Sequence, residues 1–221
     1  STPLYSSAAS DVYKRQFHDD GQGVRGNLRA VVRAILLDDE ARYPDLTSPE
    51  WGKVREPIVR FSGWARAFGA TSNNGAWAMP DTTDNTIRLA QSPMRSASVF
   101  NFFRPRYSPP VTELARRGQV APELQITDET SIAGYLNFLA IYVDRGWEDL
   151  QTNYAAEIAL ARDPAALVAR VALLLAGDAF SSATANAIAQ AVATLPPERP
   201  RDRVRAAIML VAASPEYLVQ K

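Results

Sequence analysis

The stretch LAQSPMRSASVFNFFRPRYSPPVTELARRGQVAPELQITDETSIAGYLNFLA, Leu89–Ala140, decides how the rest of the chain is read. Five of the chain's fifteen prolines fall inside it, so no single helix can run its length. Its last third changes character. Thr127 or Asp128 can cap a helix, Asp128 and Glu129 suit its positive end, and Ile132, Tyr135, Leu136, Leu139 and Val143 recur on one helical face. Gly146 stops that helix. Upstream, Val99, Phe100, Phe102 and Phe103 predict a short buried helix. Arg104–Pro110 must leave it in extended form, because residues before proline avoid the helical region. Val111–Arg117 allows a short helix closed by Gly118, and Ala121–Ile126 reads as extended. The stretch is an irregular crossing between two helical groups, with its three neighbouring phenylalanines as core.

On the N-terminal side, Asn27 caps a helix whose apolar face is Leu28, Val31, Val32, Ile35 and Leu36. Pro57 opens a second, with Ile58, Phe61, Trp64, Ala65 and Phe68 buried and Gly69 past its end. Arg55 and Glu56 are expected to pair as ions at its start. Ala70–Thr86 is a long polar loop, and Trp77 and Met79 within it suggest a tip folded onto the core or covering a pocket. On the C-terminal side, Trp147–Ala161 continues as a less regular helix. Asp163–Pro164, Ser181 or Ser182, Arg201 and Ser214–Pro215 open further helices with apolar faces of period 3.6. No alternating run suits a strand. The fold class is therefore all-α, an irregular multi-helix array with long loops and no substantial β-sheet.

Composition bounds the function. The 221 residues carry 24 basic and 24 acidic side chains, so no overall basic field invites nucleic acid. With no cysteine, disulfides, Cys-bound zinc and thiol catalysis are excluded. No run approaches the ~18 apolar residues that span a membrane. The one histidine, His18, lacks the second histidine or dense carboxylates of a metal site, and no GxSxG-like elbow accompanies it. Asp19 and Asp20 beside Gly21 lack the alternating acids of a calcium loop. No metal site, cofactor or catalytic set is expected, and the catalytic residues of any reaction are unknown from this chain. Polar groups set among aromatics and prolines are a different matter. Asn101, Arg104, Arg106, Glu123, Gln125, Thr127 and Asp128 form the candidate set for contact with a ligand or partner. The structural alternative is that they satisfy buried backbone in the crossing.

Residues 1–16 share no periodicity with the rest of the chain. They start without Met, and Ser7–Gln16, SAASDVYKRQ, looks like translated sequencing adapter, as at the ends of assembled environmental sequences. They are expected to be an artefactual or disordered tail, with residues 17–221 a single helical domain.

Five blocks then carry a family resemblance. They are GVRGNLRAVVRAILLDDEAR (Gly23–Arg42), KVREPIVRFSGWARAFGA (Lys53–Ala70), QSPMRSASVFNFFRPRYSPP (Gln91–Pro110), VAPELQITDETSIAGYLNFL (Val120–Leu139) and RVRAAIMLVAASPEYLVQK (Arg203–Lys221). Their order resembles the C-terminal part of bacterial proteins in the domain-of-unknown-function family 1800. That resemblance implies a largely helical protein about twice this long and often exported, hence periplasmic or extracellular. It also implies an upstream half with a Trp-His-x-x-His-type stretch and an Asn-Glu-Asn-x-x-Arg-Glu stretch, neither of which this chain contains. The expected partner is that missing N-terminal half. The expected role is a helical scaffold or interaction module. The alternative is one wall of the active site of an enzyme, metal-dependent in one version, whose main catalytic residues lie upstream.

Overall fold

A computed structural model describes residues 7–43, 45, 47–48 and 51–221. The chain is mostly helical with no substantial sheet. In order, its α-helices are α1 (Ser7–His18), α2 (Leu28–Leu36), α3 (Asp39–Arg42), α4 (Pro57–Ala67) and α5 (Glu113–Arg116). Then come α6 (Glu129–Arg145), α7 (Ala155–Leu160), α8 (Pro164–Ala176), α9 (Ser182–Ala193), α10 (Pro200–Ala212) and α11 (Pro215–Leu218). Strand among the described residues is limited to two-residue pieces. Thr71–Ser72 pairs antiparallel with Leu150–Gln151, Thr71 facing Gln151 and Ser72 facing Leu150.

Two compact units divide the chain. The first takes the described residues up to 53, with 110–120 and 221, and the second takes 54–109 and 121–220. The central crossing is thus not one piece: Pro110–Val120 belongs to the first unit and its flanks to the second.

In the first unit, α2 begins where expected, with the Asn27 side chain accepting from the Ala30 N–H at 3.4 Å. Its packed side is shifted from the one the sequence suggests and keeps only Val31 of the expected face. Ala30, Val31 and Ala34 are half-buried, whereas Leu28, Val32, Ile35 and Leu36 are exposed. The small alanines turn inward and the strong apolar stripe turns out. In the crossing, α5 is capped by Thr112, which accepts from Ala115 N–H at 3.3 Å.

The second unit holds the core. Phe61 and Trp64 of α4 meet Phe138 and Tyr142 of α6 in an aromatic cluster, with Phe61–Tyr142 and Phe138–Tyr142 centroids both 4.9 Å apart. Such tilted and edge-on pairs add roughly 0.5–1.5 kcal/mol each beyond area burial. Leu167 and Val171 of α8, Val192 of α9 and Ile208 and Val211 of α10 extend it as an aliphatic layer. Local signals set most boundaries. Asp128 and Ser131 form a reciprocal capping box, with bonds of 2.7 and 2.8 Å. Asp163 accepts from Ala165 and Ala166 N–H at 3.0 and 3.1 Å, ahead of Pro164. Ser181 and Ser214 cap α9 and α11.

Several expectations are corrected. The buried face of α6 runs through Gly134, Tyr135, Phe138, Leu139, Tyr142 and Val143, and Ile132 lies outside it at 46% exposure. Gly134 explains part of that rotation. A Cβ there would stand 2.7 Å from the Asn85 carbonyl oxygen, so the helix packs directly on loop backbone at that point. Arg55 and Glu56 do not pair with each other. Arg55 donates to the Leu175 carbonyl at 2.9 Å and stacks over the Tyr217 ring, while Glu56 accepts from the Gln91 side chain. Trp147–Gln151 is not helical, because the chain doubles back after Gly146 to pair Leu150 with Ser72, and helix resumes only at Ala155. Pro122–Ile126 is not extended but a 3₁₀ helix, started by the proline's fixed φ. Phe100, Phe102 and Phe103 form neither helix nor core.

Candidate functional site: a groove in the central crossing

Within the second unit, the segment from Ser92 to Pro109 contains turns and bends and no helix. Val99 and Phe100, expected in the core, stand 95% and 70% exposed. Phe102 and Phe103 are half-buried. The physical reason lies in the backbone. Asn101 holds φ +70°, a left-handed value that breaks the helical path between Phe100 and Phe102. Its N–H donates to the Ser98 carbonyl at 3.1 Å, closing a turn in place of a helix.

That turn opens a groove of about 820 Å³, on the scale of ligand sites. Phe100, Phe102 and Phe103 make its apolar wall, and Asn101, Arg104, Arg106 and Gln125 its polar lining. Gln125 comes from the 3₁₀ segment and reaches across to the crossing, where its Oε1 accepts the Arg104 backbone N–H at 2.8 Å. A backbone donor can bond only the oxygen of that amide, so the Gln125 Nε2 group is left for other contacts. Nearby, the Ala121 N–H donates to the Tyr107 carbonyl at 2.9 Å and holds the two segments together.

The seven candidate residues therefore part company. Asn101, Arg104, Arg106 and Gln125 surround one groove. Thr127 donates from Oγ1 to the Glu123 carbonyl at 3.1 Å, and Glu123 itself is buried. Asp128 caps α6. Thr127 and Asp128 thus satisfy backbone groups at the entry to α6.

The loop after α4 makes a second, smaller feature. Ser72, Asn74 and Trp77 all bond the buried Asp149 carboxylate, through the Ser72 hydroxyl, the Asn74 N–H at 3.0 Å and the Trp77 N–H at 2.9 Å. This grip holds Trp77 at φ +52° and leaves its ring 55% exposed. Trp77 and Met79 line a cleft of about 270 Å³ with Ile58, Thr82, Ser92 and Arg95. Arg95 is neutralised there by Asp81 at 2.8 Å. Trp77 and Met79 thus line a cleft and stay exposed, outside the core. The loop's anchor, Asp149, had no local signal, since it lies 77 residues from Ser72.

Among the described residues, no group of three or more His, Cys, Asp or Glu side chains is placed to hold a metal ion, and no helix is long and apolar enough to cross a membrane. Fold and groove together define a helical protein that offers an open, aromatic- and arginine-lined surface from an irregular crossing. The chain belongs to the DUF1800 family, described as a protein of unknown function, whose pattern matches residues 3–219. No curated protein and no solved structure matches it.

Proposed function

We propose that the chain is the C-terminal helical part of a longer, exported bacterial protein and that it serves as a scaffold or interaction module. The supporting observation is the exposure of Val99 and Phe100 in a crossing held on both sides by packed helices. Apolar side chains of this size each contribute about 1.5–3 kcal/mol when buried, so they favour a covering surface. The outward stripe of α2 supports the same reading. The partner is the upstream half of the same polypeptide. Co-expression of that half with this chain tests it: a stable complex that protects Phe100 from solvent supports the module, and separate elution of the two sinks it.

A second reading has its own observation. The groove's volume and its convergent arginines and amides suit one wall of an enzyme site whose catalytic groups come from upstream. Metal analysis of the purified full-length protein addresses the metal-dependent form of this reading. Absence of bound transition metal, with none taken up on reconstitution, removes it.

A further inference from the structure

We propose that the groove between Phe100 and Gln125 binds an organic carboxylate, with its apolar body on the phenylalanine wall and its head held by Arg104. The inference rests on the groove being an open ligand wall. Three observations carry it. The wall is aromatic, from Phe100, Phe102 and Phe103, and two of these rings are half-buried, so their orientation is set by packing. The lining offers a positive head-group site at Arg104 and, among the described residues that form it, no carboxylate. The amide at its edge is also one-sided. Gln125 spends its oxygen on the Arg104 N–H, which turns Nε2 into the free end. A ligand thus meets an apolar floor and a donor-rich rim.

That combination selects among ligand classes. A cation is repelled by the Arg104 guanidinium and finds no acid in the lining to replace its water. A neutral apolar body of the right size fills the floor but leaves the guanidinium beside it without a counter-charge. A carboxylate accepts two parallel N–H bonds from the planar guanidinium, the strong form of this contact, and takes a further bond from Gln125. The groove is large enough for an acyl or aryl body beyond the head group.

The experiment is a calorimetric titration of the whole chain with dodecanoate, and separately with dodecyltrimethylammonium, each below its micelle concentration. The two probes share a tail and differ in the sign of the head. The expected result is saturable one-to-one binding of dodecanoate, about tenfold or more tighter than the cation, since a charge-assisted bond is worth that much. Arg104→Met should abolish the preference and retain weak tail binding. Its side chain is exposed, so the variant folds as the parent does, which circular dichroism checks. Phe102→Ala should weaken both probes. Equal binding of the two probes, an unchanged preference in Arg104→Met, or no saturable binding overturns the proposal. The readings fail separately. Metal-free full-length protein that still binds dodecanoate removes the metalloenzyme and leaves this inference, whereas a metal centre beside a groove that ignores dodecanoate does the reverse.

Discussion

Arg203 donates to the Leu195 carbonyl through both Nε and Nη2, at 2.9 and 2.7 Å. Its remaining arm, Nη1, donates to the Ala161 carbonyl at 3.0 Å. One buried guanidinium on α10 thereby satisfies the chain ends of α9 and α7, carbonyls that lose their partners where those helices stop. Replacing it leaves buried acceptors unmet, at about 1–3 kcal/mol each. Arg203→Met is expected to lower unfolding free energy by about 2–4 kcal/mol in urea, and Arg203→Lys to recover only part. A loss below about 1 kcal/mol would show that water replaces the guanidinium.

The rotated face of α6 separates two substitutions that the sequence alone ranks the other way. Phe138 lies in the aromatic cluster and is fully buried, and Ile132 is half in solvent. Phe138→Ala should cost about 3–5 kcal/mol. Ile132→Ala should stay within about 0.5 kcal/mol. Thermal and denaturant melts of the pair decide it, and equal losses would return Ile132 to the core.

These cases show what the residues disclosed and what they withheld. Helix starts were legible because capping is local: Asn27, Asp128, Asp163, Ser181 and Ser214 each bond N–H groups two or three residues ahead. The face of α10 was legible because Val204, Ile208 and Val211 stand against Arg201, Asp202 and Arg205. On α6 two apolar stripes overlap, and a contact with the backbone of residues 85 and 86 chooses between them. On α2 the periodicity located a helix but not which side packs. The groove was half legible. Residue types marked Asn101, Arg104, Arg106 and Gln125, but a left-handed Asn101 between two phenylalanines leaves no mark in hydrophobic period. Long-range bonds such as Ser72 to Asp149 leave none either.

Asp149 supplies a pH-dependent outcome. The Ser72 hydroxyl, helped by the N–H groups of Asn74, Asn73 and Trp77, holds its pKa below the ordinary 3.8 against the opposing effect of burial. A carboxyl whose folded pKa is depressed contributes fully at neutral pH, and that contribution is lost as pH falls from about 4 through the folded value. Emission from Trp77, taken as the difference between the parent and Trp77→Phe, should therefore change below that point. Asp149→Asn should show the loosened signal already at neutral pH and no acid transition. Matching pH profiles for the parent and Asp149→Asn would dismiss this role.

The outward stripe of α2 predicts a surface that binds hydrophobic dye. Val32 and Ile35 are 52% and 48% exposed. The double substitution Val32→Glu, Ile35→Glu should reduce anilinonaphthalene sulfonate fluorescence and self-association, with stability changed by less than about 0.5 kcal/mol per site. A large drop in unfolding free energy would mean that the stripe is already covered.

Trp77, Ala90, Met94 and Asn101 all hold positive φ without being glycine. Each such residue costs about 1–2 kcal/mol relative to the right-handed alternative. Short peptides cut from this stretch would relax out of the shape, so the form of the groove is on loan from the helices that clamp it. Occupancy and folding are therefore coupled in one equilibrium. Any molecule that prefers the shaped groove raises the melting point of the whole second unit, by an amount that grows with the logarithm of its concentration. A thermal-shift screen then needs no assay of activity to find what the groove accepts, because the fold itself is the reporter.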